Sequence, residues 1–386
     1  MFSKKIKIDC FNLKKGKIQK IKRLFSEILK KKNISYRIID TFSNNYQYSF
    51  NIKKISRLKK YKTISIFGLG GSSLCIKAIY DFLRFKIKKK VYFYDNLDTA
   101  TPKLAKNKNL DIIISKSGST LETIVNQNIY SDSKKLFITE NKKSYLMNLA
   151  LKLKSEIIEH RNFVGGRYSV LSEVGMLPAE LLGLKSEKFK KFDNLIKNKN
   201  FMNTLINNVD MMNRFYLLGK TNSVILNFDK SLTSLLEWYQ QLLSESLGKK
   251  GKGFFPIISN LPKDNHSLMQ LYLDGNKNNF FTIIDIIDQK SQKIKNKNLL
   301  PDYGFLINKN IKSVMIAQKD AVKRVFKKKG LFFRNIEILK KDEESLGTIF
   351  TYFMLETILL GKLMKLNPFD QPAVESIKKE TKKILS

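Results

Sequence analysis

The stretch IISKSGSTLET, residues 113–123, places four hydroxyl residues, Ser115, Ser117, Ser119 and Thr120, and one lysine, Lys116, directly after an apolar run. A phosphate needs several hydrogen-bond donors and a favourable field, and a strand that gives way to a helix start supplies both. One hydroxyl has a purely structural use. Ser119 and Glu122 have the S-x-x-E spacing of a capping box, in which hydroxyl and carboxylate each satisfy a free backbone N–H. The other three are surplus to capping, so the stretch predicts a phosphate-binding loop. A second loop, GLGGSS (68–73), presents Gly71 and Ser72 where backbone N–H groups can approach an anion closely. It lacks the third glycine of a dinucleotide fingerprint and the Gly-Lys-Ser/Thr of a nucleotide loop, and a tight strand-to-helix turn explains it equally well taken alone.

Candidates for acid, base and charge stabilisation come later in the chain. Running into EWYQQLLSESLGKKGKG (237–253), Leu232, Leu235, Leu236, Tyr239, Leu242 and Leu243 keep helical spacing, and Glu245 leaves that stripe just before Gly248 ends the helix. The negative end of the helix dipole disfavours its charged form, which suits a general base. A surface glutamate paired with Lys249 or Lys250 is the plainer alternative. Arg167, in GGRYSVLSEVG (165–175), sets a guanidinium beside flexible backbone, a fit for an anionic ligand or intermediate. His266 stands before a helical run in DNHSLMQLYLDG (264–275), able to act as acid or base or to be incidental. In NPFDQPAVESIKK (367–379), a helix starting at Pro372 puts Val374, Ile377, Thr381, Ile384 and Leu385 on an inward stripe, with Lys378 at its flank and Lys379 opposite.

Short apolar segments alternating with helical ones must position these residues. Strands are expected at 63–67, 91–94, 111–115 and 135–139, with helices at 73–85 and 119–130 between them. A second run places strands at 224–228, 280–285 and 331–338 and helices at 231–247, 346–364 and 372–385. This alternation implies an α/β fold, mostly parallel sheets flanked by helices in doubly wound, flavodoxin-like order. Two domains follow, 46–186 and 187–386, after a lead-in over 1–45 that carries no clear signal.

The chain has 386 residues, 42% of them hydrophobic, enough for two ordinary cores. Its 72 Lys and Arg against 34 Asp and Glu give a formal +38, which could suit a polyanion. The lysines instead recur in short runs along nearly the whole chain, the mark of a general residue bias, so no specific nucleic-acid partner is expected. Cys10 and Cys75, with His160 and His266, leave no disulfide framework and no metal-ligand set. The apolar helix at 346–364 carries Glu356 and Lys362 and falls short of the roughly 18 uninterrupted apolar residues of a spanning helix. With no targeting signal either, the expectation is a cytoplasmic protein without a membrane partner.

Taken in order, FGLGGSSL, ISKSGSTLET, GGRYSVLSEVG, WYQQLLSESLGKKGKG, DNHSLMQLYLDG and NPFDQPAVESIK resemble the glucose-6-phosphate isomerase family, closest to its shorter bacterial-type members. Each motif is weak alone, and six in family order over residues 63–379 are specific. The resemblance implies two sugar-isomerase (SIS) domains, a homodimer, a hexose phosphate substrate, and interconversion of glucose 6-phosphate and fructose 6-phosphate with no metal or cofactor. It makes Ser115, Lys116, Ser117 and Thr120 the phosphate cradle, with Gly71 and Ser72 beside the sugar. It makes Glu245 the base between C2 and C1, Arg167 the stabiliser of the enediolate, and His266, reaching in from the partner subunit, the aid to ring opening. It also puts Gln371 on the substrate and Lys378 at the ring oxygen.

The chain departs from the family pattern at Asn265, at Asp274–Gly275 and at Ala373, none of them assigned to chemistry. Two other readings remain. One is a different sugar-phosphate isomerase of the same fold, such as a bifunctional glucose/mannose phosphate isomerase. The other is a sugar-phosphate-sensing regulatory module, for which no helix-turn-helix segment is evident.

Overall fold

A computed structural model describes residues 5–11, 16, 18–30, 34–99, 109–288 and 290–386. Among these residues the strands are β1 (Ile6–Phe11), β2 (Thr63–Phe67), β3 (Lys90–Tyr94), β4 (Asn109–Ile114), β5 (Lys134–Thr139), β6 (Glu156–Glu159), β7 (Asn222–Asn227), β8 (Phe255–Asn260), β9 (Asn279–Ile286) and β10 (Phe333–Ile338). They form two five-stranded sheets.

The first sheet runs β3-β2-β4-β5-β6, and all its pairs are parallel. All six residues of β4 are buried, as expected of a central parallel strand covered on both faces. The order doubles back between β2 and β4. That is the doubly wound switch point, where the loops leaving two adjacent strands diverge and open a crevice at their carboxyl ends. The loops leaving β2 and β4 are the glycine-rich and hydroxyl-rich stretches singled out from the sequence.

The second sheet, β1-β10-β9-β7-β8, repeats this parallel arrangement and adds β1 antiparallel at its edge, Ile6 facing Ile338 and Phe11 facing Phe333. The lead-in thus supplies a strand for which the sequence carried no clear signal. Only Ile6 and Ile8 of β1 are buried, too short an alternation among charged residues to register as period two.

The helix Glu343–Leu363 is long and apolar enough by composition to cross a membrane, but 89% of its apolar window is buried within this fold. It is a core helix. It packs on the helix Thr233–Leu247 through Trp238 against Phe350, centroids 4.9 Å apart and edge-on, and through Tyr239 stacked on Phe353 at 4.0 Å. The terminal helix, Val374–Leu385, corrects an expectation. It buries no residue, and Ile377, Ile384 and Leu385 are each at least 70% exposed. Periodicity identifies the apolar stripe correctly, but among the described residues nothing covers it.

Lys190 is 2% exposed and its ammonium has no hydrogen-bond partner, lying instead 4.5 Å from the ring centre of Tyr46 and 4.1 Å from that of Tyr48. Burial pushes its pKa down to about 7. Above that value the native amine is neutral while the unfolded one still binds a proton up to lysine's ordinary 10.5, so this group's contribution to stability rises with pH across that window. Below about 7 both states are charged and the full penalty persists. Replacing Lys190 with Met should therefore raise the melting temperature most at and below pH 7, the gain shrinking by about 1.4 kcal/mol per pH unit from there toward pH 10. Melts of both proteins at several pH values check this; a gain independent of pH would contradict it.

Candidate active site

At the end of β4 the chain turns sharply, with Gly118 at φ +68° and packed against the Ser144 hydroxyl, which a Cβ there would overlap. Only glycine fits that position without strain. The turn gathers three hydroxyls into one small volume. Ser115 Oγ lies 2.7 Å from Thr120 Oγ1 and 3.4 Å from Ser117 Oγ, and it accepts from Gly118 N–H at 3.2 Å.

The expected capping box does not form. The following helix is Leu121–Tyr130 with Thr120 as its N-cap, so Glu122 falls at the second helical position rather than the third, and Ser119 Oγ donates to the Ser117 carbonyl instead. Thr120 gives the helix no side-chain cap because its hydroxyl is turned into the loop toward Ser115. Capping is given up in favour of the hydroxyl cluster.

Lys116 does not join that cluster. Its ammonium donates to the Asn162 carbonyl at 2.8 Å and lies 3.6 Å from Glu140 Oε1. Burial lowers its pKa, against the pull of Glu140.

The glycine loop wedges the site together. Gly70 adopts φ +57°, and a Cβ on it would lie 2.6 Å from Gln241 Nε2. A Cβ on Gly71 would collide with the Gly166 carbonyl. Gly71 is thus required for close backbone packing against the segment entering Arg167, and it opens the helix Gly71–Phe82 in which Ser72 is the second, buried residue.

Glu245 leaves the buried stripe as its periodicity demands. Leu235, Leu236, Tyr239, Leu242 and Leu243 are buried, whereas the Glu245 side chain is 26% exposed, two residues before the helix Thr233–Leu247 ends at Gly248. Its partner is not a surface lysine. Glu245 Oε2 accepts from Arg167 Nη1 at 3.0 Å and Oε1 from Gln241 Nε2 at 2.8 Å, while Lys249 pairs with Asp370 at 2.6 Å.

Arg167, 2% exposed, spends its whole donor set. Besides Glu245, Nη1 serves Gln371 Oε1 at 2.5 Å, Nε serves Ser246 Oγ at 2.9 Å, and Nη2 serves the carbonyls of Pro368 at 2.8 Å and Asp370 at 3.0 Å. A guanidinium has five N–H groups, and all five are engaged. The backbone is pinned as well, since Trp238 Nε1 donates to the Arg167 carbonyl at 2.9 Å. The result is a fixed cation against a carboxylate that solvent can still reach, with Gln371 brought in by the same guanidinium.

Two predicted residues lie apart. His266 is exposed on the short helix Asp264–Ser267, and among the described residues no hydrogen bond joins it to Glu245 or Arg167. Lys378, the lysine at the flank of the apolar stripe, sits on the uncovered terminal helix and pairs with Glu375 at 2.8 Å. Gln241, Ser246 and Tyr168 went unnoticed in the sequence. Gln241 stands one turn before Glu245, a spacing that would have revealed it, and its Oε1 is buried without a partner. Tyr168 OH lies 3.0 Å from Ser246 Oγ, a pairing across 78 positions that no local pattern reveals. Among the described residues no three His, Cys, Asp or Glu side chains group as metal ligands.

The phosphoglucose isomerase family model matches residues 53–254, a span that includes the glycine loop, the hydroxyl loop, Arg167 and Glu245. A probable glucose-6-phosphate isomerase of Methanococcus maripaludis is 31% identical over 97% of this chain and 88% of its own length. The glucose-6-phosphate isomerase of Methanocaldococcus jannaschii is likewise 31% identical, over 86% of each chain. A crystal structure of a hypothetical protein from Thermus thermophilus has the same fold, with a TM-score of 0.81 and 21% identity over 95% of this chain and 94% of that one. With a family match across the loops that build the site and relatives aligned over nearly the whole length, the chain belongs to the phosphoglucose isomerase family.

Proposed function

We propose that this chain interconverts glucose 6-phosphate and fructose 6-phosphate through an enediolate, with Glu245 as the base. The observation that carries the residue roles is the Glu245–Arg167 pair beside the hydroxyl loop at the switch point. The phosphate rests on the Ser115, Ser117 and Thr120 hydroxyls with Ser72 nearby, and its binding energy orients the far end of the sugar. Glu245 takes the proton from C2 of the open-chain aldose as electrons move through a new C1=C2 bond to the carbonyl oxygen at C1; a proton then passes from the C2 hydroxyl to the C1 oxygen, and the same carboxyl returns its proton to C1, leaving the ketone at C2.

Arg167 has no spare donor before the reaction begins. Once Glu245 is protonated, its anion is gone and the guanidinium is left facing the enediolate oxygen as the nearest negative charge. Charge stabilisation therefore becomes available as the intermediate forms. Gln371, already bonded to Arg167, contacts the sugar.

His266 and Lys378 serve ring opening in this reading, and both must arrive from outside the cluster. His266 comes from the partner subunit of a homodimer. Lys378 arrives when the Val374–Leu385 helix, joined to Gln371 through Pro372 and Ala373, closes over the sugar. Burial of its exposed apolar stripe would favour that closure. The chain divides functionally at about residue 186, with phosphate binding before the boundary and Glu245, His266 and Lys378 after it.

In a coupled assay with chelator present, the purified protein should turn fructose 6-phosphate into glucose 6-phosphate. Mixing Glu245→Gln and His266→Ala subunits should restore about one quarter of wild-type activity, because half of randomly formed dimers are mixed and each holds one intact site. No wild-type turnover would end the proposal; turnover without rescue on mixing would reject the shared site alone.

A further inference from the structure

Lys116 sits in the hydroxyl loop, yet its ammonium is committed elsewhere. In the sheet order β3-β2-β4-β5-β6 the crevice opens between β2 and β4, whereas Glu140 directly follows β5 and Asn162 lies just past β6. The side chain therefore leans across the sheet end, away from the crevice. It is held there at both ends. Backbone N–H of Glu140 donates to the Lys116 carbonyl at 3.2 Å, and Lys116 Nζ donates to the Asn162 carbonyl at 2.8 Å with Glu140 Oε1 at 3.6 Å. Glu140 is itself buried and shared with Lys142. His160, 1% exposed and with burial pushing its pKa down to about 4, adds a neutral ring to this region, its Nδ1 3.2 Å from the Arg161 carbonyl.

Asn162 is not an arbitrary anchor. It stands on the short segment that leads into Arg167, and the intervening chain is tightly constrained: Val164 N–H donates to the Arg161 carbonyl at 3.1 Å, Val164 is fully buried, and the Gly166 carbonyl abuts Gly71. Tyr168 N–H donates to the Gly165 carbonyl at 3.0 Å. The Lys116–Asn162 bond thus ties the phosphate loop to the turn that presents Arg167.

We propose that Lys116 is a positioning residue, a strut that sets the phosphate loop and the Arg167 turn in register, with its ammonium making no contact with the phosphate. Glu140 holds the strut. The proposal rests on the reading that the Ser115–Thr120 loop holds the phosphate, and it changes what each variant should do. A phosphate ligand would act on affinity, because a charge-assisted bond to the anion is present in substrate and inhibitor alike. A strut acts on turnover, because it governs how well Arg167 meets a charge that exists only in the intermediate.

The test is steady-state kinetics with inorganic phosphate as inhibitor, on Lys116→Met and Glu140→Gln. Lys116→Met should lower kcat about tenfold, equivalent to about 1.4 kcal/mol of barrier, while KM and the inhibition constant for phosphate stay within about threefold. Glu140→Gln should shift kcat the same way by less, and the double variant should be no worse than Lys116→Met, since both changes remove one interaction. A phosphate inhibition constant weakened tenfold or more in Lys116→Met would return the ammonium to the cradle and overturn the strut. So would an unchanged kcat in both single variants. Ser117→Ala and Thr120→Val report on the underlying reading: if neither weakens phosphate inhibition, the loop is not the phosphate site and the proposal falls with it.

Discussion

Replacing Glu245 with Gln lowers turnover by about 10³-fold or more and leaves the affinity for hexose phosphate within a few fold. The amide has the carboxylate's shape, so its oxygen can still accept from Arg167 or Gln241, and four of the five Arg167 donors never involve position 245. The guanidinium stays where it is. What the amide cannot do is take a proton from carbon. With the phosphate gripped at the end of β4, as proposed, KM has little reason to change, and the whole loss should appear in kcat. Equal losses in affinity and turnover would mean that Glu245 is a substrate contact and that the base lies elsewhere.

The largest stability effect is expected at Arg334, far from any solvent. Its guanidinium and the Glu356 carboxylate are both fully buried, Nη1 donating to Oε1 at 2.5 Å and Nη2 to Oε2 at 3.3 Å. Tyr239 OH and Tyr352 OH each donate to Glu356 at 2.9 Å, and Arg334 Nε donates to Thr282 Oγ1 at 2.9 Å. Tyr239 lies on the helix that carries Glu245, so this network ties that helix to the second sheet and to the core helix.

Arg334→Met leaves a carboxylate in the core with two phenols and no cation, at a cost of about 3–5 kcal/mol. In a chain of this size that lowers the melting temperature by roughly 4–6 °C. Adding Glu356→Leu should recover most of the loss, since a buried pair replaced by apolar groups is often nearly neutral. A single variant that melts like the wild type would contradict the network's role.

The sequence was most legible where one physical signal dominates. Covered parallel strands are continuous apolar runs, and β2, β4 and β9 fall within two residues of their expected limits. The loops at the switch point declared themselves by glycine and hydroxyl content. Glu245 declared itself by leaving its apolar stripe.

What stayed hidden depends on distance or on a partner. The stripe on the terminal helix is real, yet periodicity cannot say whether anything covers it, and Lys378 followed that stripe to the surface. Ser119 and Glu122 have the spacing of a capping box, but the helix starts at Leu121 because Thr120 turns its hydroxyl to Ser115. Lys116 looked like a phosphate ligand by its neighbours in sequence. Its neighbours in space are Glu140 and Asn162, which lie on strand ends that sequence order alone does not set side by side.

Proton transfer by Glu245 is the centre of this account, and solvent exchange reads it directly. Glucose 6-phosphate incubated in D2O with the wild-type protein and recovered for NMR should carry deuterium at C2, since a proton held on Glu245 in the intermediate can trade with solvent. With Glu245→Gln at saturating substrate, the C2 position should stay protonated over the same time. Deuterium entering C2 at the wild-type rate in that variant would show that another group moves the proton.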